Sequence, residues 1–151
     1  MKKRSVNLAH ARTAFQRKVI ERIVKDKVCP FCEEHFLKYH TKPILKKGKY
    51  WIITTNFQPY KGSVHHVLAV SRKHATQFSA ISPAAQSELF TLLAAEVRRR
   101  GIKGGALCMR FGDTDYTSGS VEHLHAHLIV GAKKARGRKT LTMGIGYMRG
   151  S

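Results

Sequence analysis

His123-Leu124-His125-Ala126-His127-Leu128-Ile129 sets three imidazoles in strict alternation with apolar side chains. Side chains along a β-strand alternate between faces. Read as a strand, the stretch puts His123, His125 and His127 on one face, and Leu124, Ala126 and Leu128 on the other, toward a core. Ile129 and Val130 extend it with β-favouring residues. Imidazoles about 7 Å apart along a strand pack poorly, yet they can serve as nucleophile, general base or metal ligand near neutral pH. The polar face of a half-exposed strand is the plain alternative, and the strict alternation argues against it. A metal site suits one or two of the three histidines better than all of them.

Working outward, residues 112–120 form a small, polar, glycine-containing loop just before the histidines. Backbone N–H groups and hydroxyls in such a loop can cradle a phosphate. Residues 106–111 before it read as a buried strand with Cys108 in the core. The clearest helix spans 82–100: Ser82 is an N-cap, Pro83 fits the first turn, and Ala85, Leu89, Leu92, Leu93 and Val97 make an apolar stripe that Gly101 ends. Residues 50–55 and 64–71 read as strands around the turn-rich 56–63, paired as an antiparallel hairpin. Residues 33–47 read as a short helical or irregular connection. Residues 1–5 are a basic tail. Residues 7–27 show helical periodicity through Phe15, Val19, Ile20, Ile23 and Val24, with Ser5 or Asn7 as cap; this helix packs on the domain or on a partner subunit. Beyond Gly131 lies a basic run, Lys133, Lys134, Arg136, Arg138 and Lys139, and then an apolar piece, 141–148, that suggests an edge strand.

At 151 residues the chain suits one domain with a real core, here divided into a basic helical extension, 1–28, and a domain with a basic tail, 29–151. Twenty-eight basic residues against nine acidic ones give a formal charge of +19. That balance points to an anionic partner such as nucleic acid, a polyphosphate ligand or an acidic surface; a basic proteome or a high-salt cytosol would produce it too. There is no apolar run near 18 residues and no signal-peptide pattern, so the expectation is a cytoplasmic protein without a membrane partner. Of three cysteines, two form Cys29-Pro30-Phe31-Cys32. In a cytosolic protein that spacing favours metal over a disulfide. Tetrahedral zinc would need two further ligands, and His35 and His40 lie close enough in sequence to compete.

Taken together these features resemble the histidine-triad (HIT) family. The triad itself carries the resemblance. It is joined by His66-Val-Leu-Ala-Val-Ser-Arg-Lys-His74, by Cys29-Pro-Phe-Cys32 with Pro59-Tyr60, and by Gly119-Ser120. These motifs span residues 29–131 and are most similar to zinc-carrying bacterial members and the galactose-1-phosphate uridylyltransferase branch. The resemblance implies an α+β fold, an antiparallel sheet with packed helices, commonly a homodimer in which helix 82–100 can serve the interface. It implies a hydrolase or transferase that cleaves nucleoside 5′-phosphoryl compounds (phosphoramidates, dinucleoside polyphosphates or adenylylated conjugates) through a nucleotidyl-histidine intermediate. His125 would be the nucleophile, oriented by the backbone carbonyl of His123. His127 would bind phosphate and help move a proton to the leaving group, with His66 as a supporting histidine. Ser120 and Gly119 would hold non-bridging oxygens. Cys29, Cys32, His74 and His123 would ligate a structural zinc. Two departures stand out: Arg110 falls where many members have asparagine, and no acidic residue marks the ribose site, leaving Asn56 as its candidate. A second reading is a nucleic-acid-associated module, either aprataxin-like in removing adenylate from DNA ends or non-catalytic, although no separable zinc finger is visible.

Overall fold

The structure, a computed structural model, describes residues 4–150. Met1-Lys2-Lys3 of the basic tail lie outside the described residues. A 3-10 turn, Leu8–His10, precedes α1 (Ala14–Asp26) and α2 (Glu33–Tyr39). Strands β1 (Ile44–Lys47), β2 (Trp51–Thr55) and β3 (His65–Ser71) follow, then α3 (Pro83–Arg99), β4 (Ala106–Arg110) and β5 (His125–Val130). The five strands form one antiparallel sheet in the order β1-β2-β3-β5-β4. The fold is α+β, with three helices against the sheet.

Side-chain alternation sorts the sheet into two buried faces. Trp51, Ile53, Val67, Ala69, Ala126, Leu128 and Val130 point to α3 and meet Leu89 and Leu93. The opposite face carries Ile52, Leu68 and Val70 against Phe31 and Phe36, and on this face lie the histidines of β5. α3 begins where expected: the Ser82 hydroxyl accepts a hydrogen bond from Ala85 N (3.2 Å), with Pro83 in the first turn. Glu88 on α3 accepts the backbone N–H groups of Lys49 (2.9 Å), Tyr50 (2.7 Å) and Trp51 (3.0 Å), which pins the β1–β2 turn to the helix.

The N-terminal helix starts later than its periodicity predicts. Asn7 caps the 3-10 turn instead, and Thr13 caps α1 by accepting from Gln16 N (3.0 Å). Two capping residues in one stretch split what reads as a single helix. Ile20 and Ile23 of α1 pack with Val6 and Tyr39. Val6 also bridges to Val121, Asn7 N donates to Ser120 O, and Glu122 N donates to Ser5 O.

Three further expectations change. β4 is an edge strand rather than a buried one: Leu107 is half exposed, and Cys108 lies partly open instead of in the core. An apolar run does not distinguish an edge strand from a central one. Residues 33–47 contain both α2 and β1. Residues 141–148 form no strand; the Gly144 carbonyl accepts from Arg110 Nε (3.1 Å) and Ser118 Oγ (2.5 Å), which takes backbone acceptor capacity a ladder would use.

Replacing Glu88 with alanine leaves three clustered N–H groups without their carboxylate. We expect a loss of about 2–3 kcal/mol, read as a lowered midpoint in denaturant unfolding. A midpoint shift worth less than a few tenths of a kcal/mol would show that water replaces the carboxylate at this turn.

Candidate active site and metal cluster

His125 and His127 share the face of β5 turned away from α3, and both are buried. His123 lies just before the strand but keeps its alternation. With little water in reach, each ring nitrogen must find a protein partner, and these partners assign the tautomers. His125 Nδ1 lies 2.7 Å from the carbonyl oxygen of His123, so it carries the proton and Nε2 keeps a bare lone pair. Burial holds His125 down to about 4, so its ring is neutral at pH 7.

His127 is set by a relay from the neighbouring strand. Tyr60 N donates to His66 Nδ1 (3.2 Å), so His66 holds its proton on Nε2 and donates it to His127 Nδ1 at 2.8 Å. His127 therefore presents an N–H at Nε2. Burial is the main cause that lowers both, His66 to about 4 and His127 well below its ordinary value. Asn56 stands beside His66, its Nδ2 3.2 Å from Nε2, while its Oδ1 accepts from Gln58 N.

Arg110 Nη1 comes to 3.5 Å from His127 Nε2, and its Nη2 donates to Tyr60 Oη (2.8 Å). Arg12, just before α1, lies over the Tyr60 ring at 4.4 Å and donates to the Gln58 carbonyl. Burial is the first cause that lowers Arg12, with the nearby Arg110 adding to it. These groups line a cleft of ≈ 800 Å³, open to solvent, that also includes Ser120, Gly119 and Asn56. No aspartate or glutamate lines it. Two guanidinium groups, a donor imidazole and a lone-pair imidazole in a carboxylate-free cleft are groups whose chemistry suits a phosphorylated ligand. The Gly119 N–H is already given to Thr117 Oγ1 (3.2 Å), so within the loop the Ser120 hydroxyl is the freer donor.

The cysteine motif meets the end of β5. Cys29 Sγ is 3.3 Å and Cys32 Sγ 3.9 Å from His123 Nδ1; His74 Nδ1 is 3.4 Å from Cys32 Sγ and 3.2 Å from His123 Nδ1. All four ligand atoms lie within 4.8 Å of one another. A tetrahedral zinc with ordinary Zn–S and Zn–N bonds separates its ligand atoms by roughly 3.3–3.8 Å, so the donor set and spacing fit. His123 Nε2 donates to Ser71 O (2.6 Å), which leaves Nδ1 as the lone-pair nitrogen that a metal requires. Burial pushes the Cys29 thiol up, and burial followed by the neighbouring Cys29 pushes Cys32 up to about 12. A cation is what would hold such thiols as thiolates. His35 and His40 stay outside the cluster: His35 sits 3.8 Å from Glu34, and His40 bonds to Thr54.

The sequence brings forward His66, His74, Cys29, Cys32 and the triad, and the fold gathers all of them into these two adjoining groups. Arg12 reads in the sequence only as part of a basic helix face with Lys18 and Arg22, a solvated face more than a site, and His10 carries no local signal. His10 Nδ1 bonds to the Gly119 carbonyl (2.7 Å) and its Nε2 to Tyr147 Oη (2.6 Å). Both residues reach the cleft through the path of the chain before α1, which no local pattern encodes.

Residues 39–134 match the HIT domain family. No curated protein sequence matches the chain. Among solved structures it is similar to a "Hit Like Protein" at 20% identity (TM-score 0.51, covering 76% of this chain and 98% of that one). It is also similar to a HIT family hydrolase from Legionella pneumophila Philadelphia 1 at 17% identity (TM-score 0.51, 70% and 97%). A Zn-bound histidine triad family protein from Mycobacterium smegmatis shares 15% identity (TM-score 0.51, 72% and 76%). At these identities the likeness is one of fold.

His40 and His66 are both lowered to about 4 in the fold, whereas an unfolded histidine titrates near 6.5. Between those values the unfolded state binds more protons, so stability is full above the unfolded pKa and is lost as pH falls toward the folded one. We expect each to cost about 1 kcal/mol by pH 5.5. Unfolding midpoints at pH 7.5 and 5.5 check this: His40→Phe should lose less than the wild type over that interval, and an equal loss would remove His40 from the account.

Proposed function

The chain belongs to the HIT domain family, and from that premise we propose that it is a hydrolase or transferase of nucleoside 5′-phosphoryl compounds acting through a nucleotidyl-histidine intermediate. The observation that carries this reading is the His125 tautomer. Its Nδ1–H is committed to the His123 carbonyl, so Nε2 offers a lone pair to a carboxylate-free cleft. In the first step Nε2 attacks the α-phosphorus and the N–P bond forms. The bond to the leaving group breaks, and its electron pair departs with that group. The positive charge this puts on the His125 ring is shared with the His123 carbonyl through Nδ1–H. His127 Nε2–H, backed by His66, hydrogen-bonds to charge building on the leaving atom and so helps a proton from solvent reach it, while its own ring stays neutral. Arg110 and the Ser120–Gly119 segment hold the phosphoryl oxygens. Water, or another acceptor, then attacks phosphorus and loses its proton to solvent in the open cleft; the N–P electron pair returns to His125.

Cys29, Cys32, His74 and His123 would hold zinc as a closed set. The structurally similar histidine triad family protein from Mycobacterium smegmatis is Zn-bound, which supports this assignment. A closed two-cysteine, two-histidine site supplies structure rather than a reacting ligand. His123 would then act twice, through its ring at the metal and through its carbonyl at His125, so the cluster would orient the nucleophile. Asn56, beside His66, stands on the nucleoside side of the cleft.

A homodimer is supported by the exposed β4 edge, where Leu107 is 51% exposed beside Phe90 of α3 at 62%. An unpaired edge strand and an apolar patch are what a second copy would cover. The +19 charge supports contact with nucleic acid as a second reading. Among the described residues no helix is long and apolar enough to cross a membrane. The three unpaired cysteines fit a cytoplasmic setting.

His125→Asn should reduce AMP release from adenosine 5′-phosphoramidate and diadenosine polyphosphates by about a thousandfold or more. It should also abolish trapping of an adenylylated protein, and undiminished release would remove His125 as nucleophile. Cys29→Ser should lower the metal content measured by atomic absorption and lower the melting temperature, with activity falling only as the fold loosens. Unchanged metal and melting would dismiss the zinc assignment.

A further inference from the structure

The late apolar piece of the chain, 141–148, belongs to no strand, yet it is tied to the loop ahead of the histidines. The Gly144 carbonyl accepts from Arg110 Nε (3.1 Å), from Arg110 Nη2 and from Ser118 Oγ (2.5 Å). Two glycines make this approach possible. A Cβ on Gly144 would meet Ser118 Oγ at 2.6 Å, and one on Gly146 would meet the Tyr116 carbonyl oxygen at 2.9 Å. Both are closer than real side chains come, and the second obstacle is backbone, which cannot swing aside. Farther along, His10 clasps the segment. Its Nδ1 donates to the Gly119 carbonyl (2.7 Å), so its Nε2 accepts from Tyr147 Oη (2.6 Å). Arg110, Ser118 and His10, the three side chains that hold the segment, all line the cleft.

The contact at Gly144 is a mismatch of partners. Three donor atoms converge on one neutral carbonyl oxygen, which has two lone pairs. The Nε–Nη2 edge of Arg110 is the side-on fork with which arginine grips phosphate or carboxylate, and no carboxylate lines the cleft. A phosphoryl oxygen at this point would be a stronger acceptor than the carbonyl. Little else holds the segment down: Ile145 is 74% exposed, Tyr147 64% and Met148 97%. Opening it trades hydrogen bonds for hydration and uncovers little apolar surface, so it belongs to the least stable part of the fold.

We propose that 141–148 is an autoinhibitory strap whose Gly144 carbonyl fills the Arg110 fork in place of a phosphoryl oxygen, and that a phosphorylated ligand displaces it. This rests on the nucleotide reading of the cleft and adds a regulation to it. With the strap closed, Arg110 and Ser118 are engaged by the chain itself; with the strap open, both turn to the ligand. Apparent affinity is then the intrinsic affinity reduced by the open fraction.

The test uses the full chain, with AMP as the probe. Gly146→Val sets a branched side chain against the Tyr116 carbonyl and undocks the strap; Tyr147→Phe removes the clasp alone. By titration calorimetry Gly146→Val should bind AMP about three- to tenfold more tightly than wild type, and Tyr147→Phe about twofold. Chymotryptic cleavage after Tyr147, followed by mass spectrometry, reads the strap itself. Saturating AMP should speed it in the wild type, and Gly146→Val should be cleaved as fast without AMP as with it. An affinity unchanged or weakened in Gly146→Val, or wild-type cleavage that AMP slows or leaves unchanged, overturns the proposal. Should Gly146→Val fail to fold, Tyr147→Phe and wild-type cleavage decide. AMP release from adenosine 5′-phosphoramidate tests the parent reading separately. Turnover with equal affinity in all three proteins would sustain the hydrolase and overturn the strap. Tighter AMP binding in the variants without turnover would do the reverse, and no AMP binding by any of the three would overturn both.

Discussion

β5 is buried on both faces, and most of the site follows from that constraint. One face meets α3 through Ala126, Leu128 and Val130. The other holds His125 and His127 where little water reaches. An imidazole has two nitrogens that want partners, and leaving one unmet in a dry interior is costly. The fold answers with committed partners: Ser71 O for His123, His123 O for His125, and a backbone N–H acting through His66 for His127. Each hydrogen bond fixes which nitrogen carries the proton. The satisfaction that stabilises the strand therefore also presents one lone pair and one N–H to the cleft.

The scarce acidic residues reinforce this division. The chain has nine, and none lines the cleft. Glu33 binds Arg72 and Lys47, Glu96 binds Arg99 and Arg100, and Asp26 binds Lys38. Arg4 gathers Asp115 and the buried Glu122, whose carboxylate also takes the Thr114 hydroxyl. Glu88 is given to backbone N–H groups. With its carboxylates bound at the periphery, the molecule leaves Arg12 and Arg110 without an ion-pair partner among the described residues. The positive potential in the cleft comes from this local imbalance more than from the overall charge, because exposed lysines far from the cleft are screened by salt within about 10 Å.

What the sequence disclosed were features written in short-range patterns. Alternation located β5, a Ser-Pro pair located the start of α3, and paired cysteines with two distant histidines named the four side chains that the fold brings together, once the family resemblance supplied the order. Where two local signals competed, the outcome was open: Asn7 and Thr13 can each cap a helix, and the chain uses both. Edge and central strands share the same composition, so β4 looked buried. Arg12, His10 and the role of His40 depend on contacts made across the fold. His40 in particular read as a possible metal ligand because of its nearness to Cys32 in sequence, whereas its Thr54 partner on β2 sets its chemistry.

The same sheet register joins the two ends of the cleft. Thr54, Leu68 and His127 face one way only because β2, β3 and β5 pair in this register, and a slip of one residue would turn a whole strand's side chains to the opposite face. The His127 end and the Thr54 end of the cleft therefore cannot drift independently. α1 roofs the cleft with Ile20 and Ile23, and Arg12 just before it stands at the His127 end. A bound nucleotide would touch the sheet on one side and this N-terminal helix on the other.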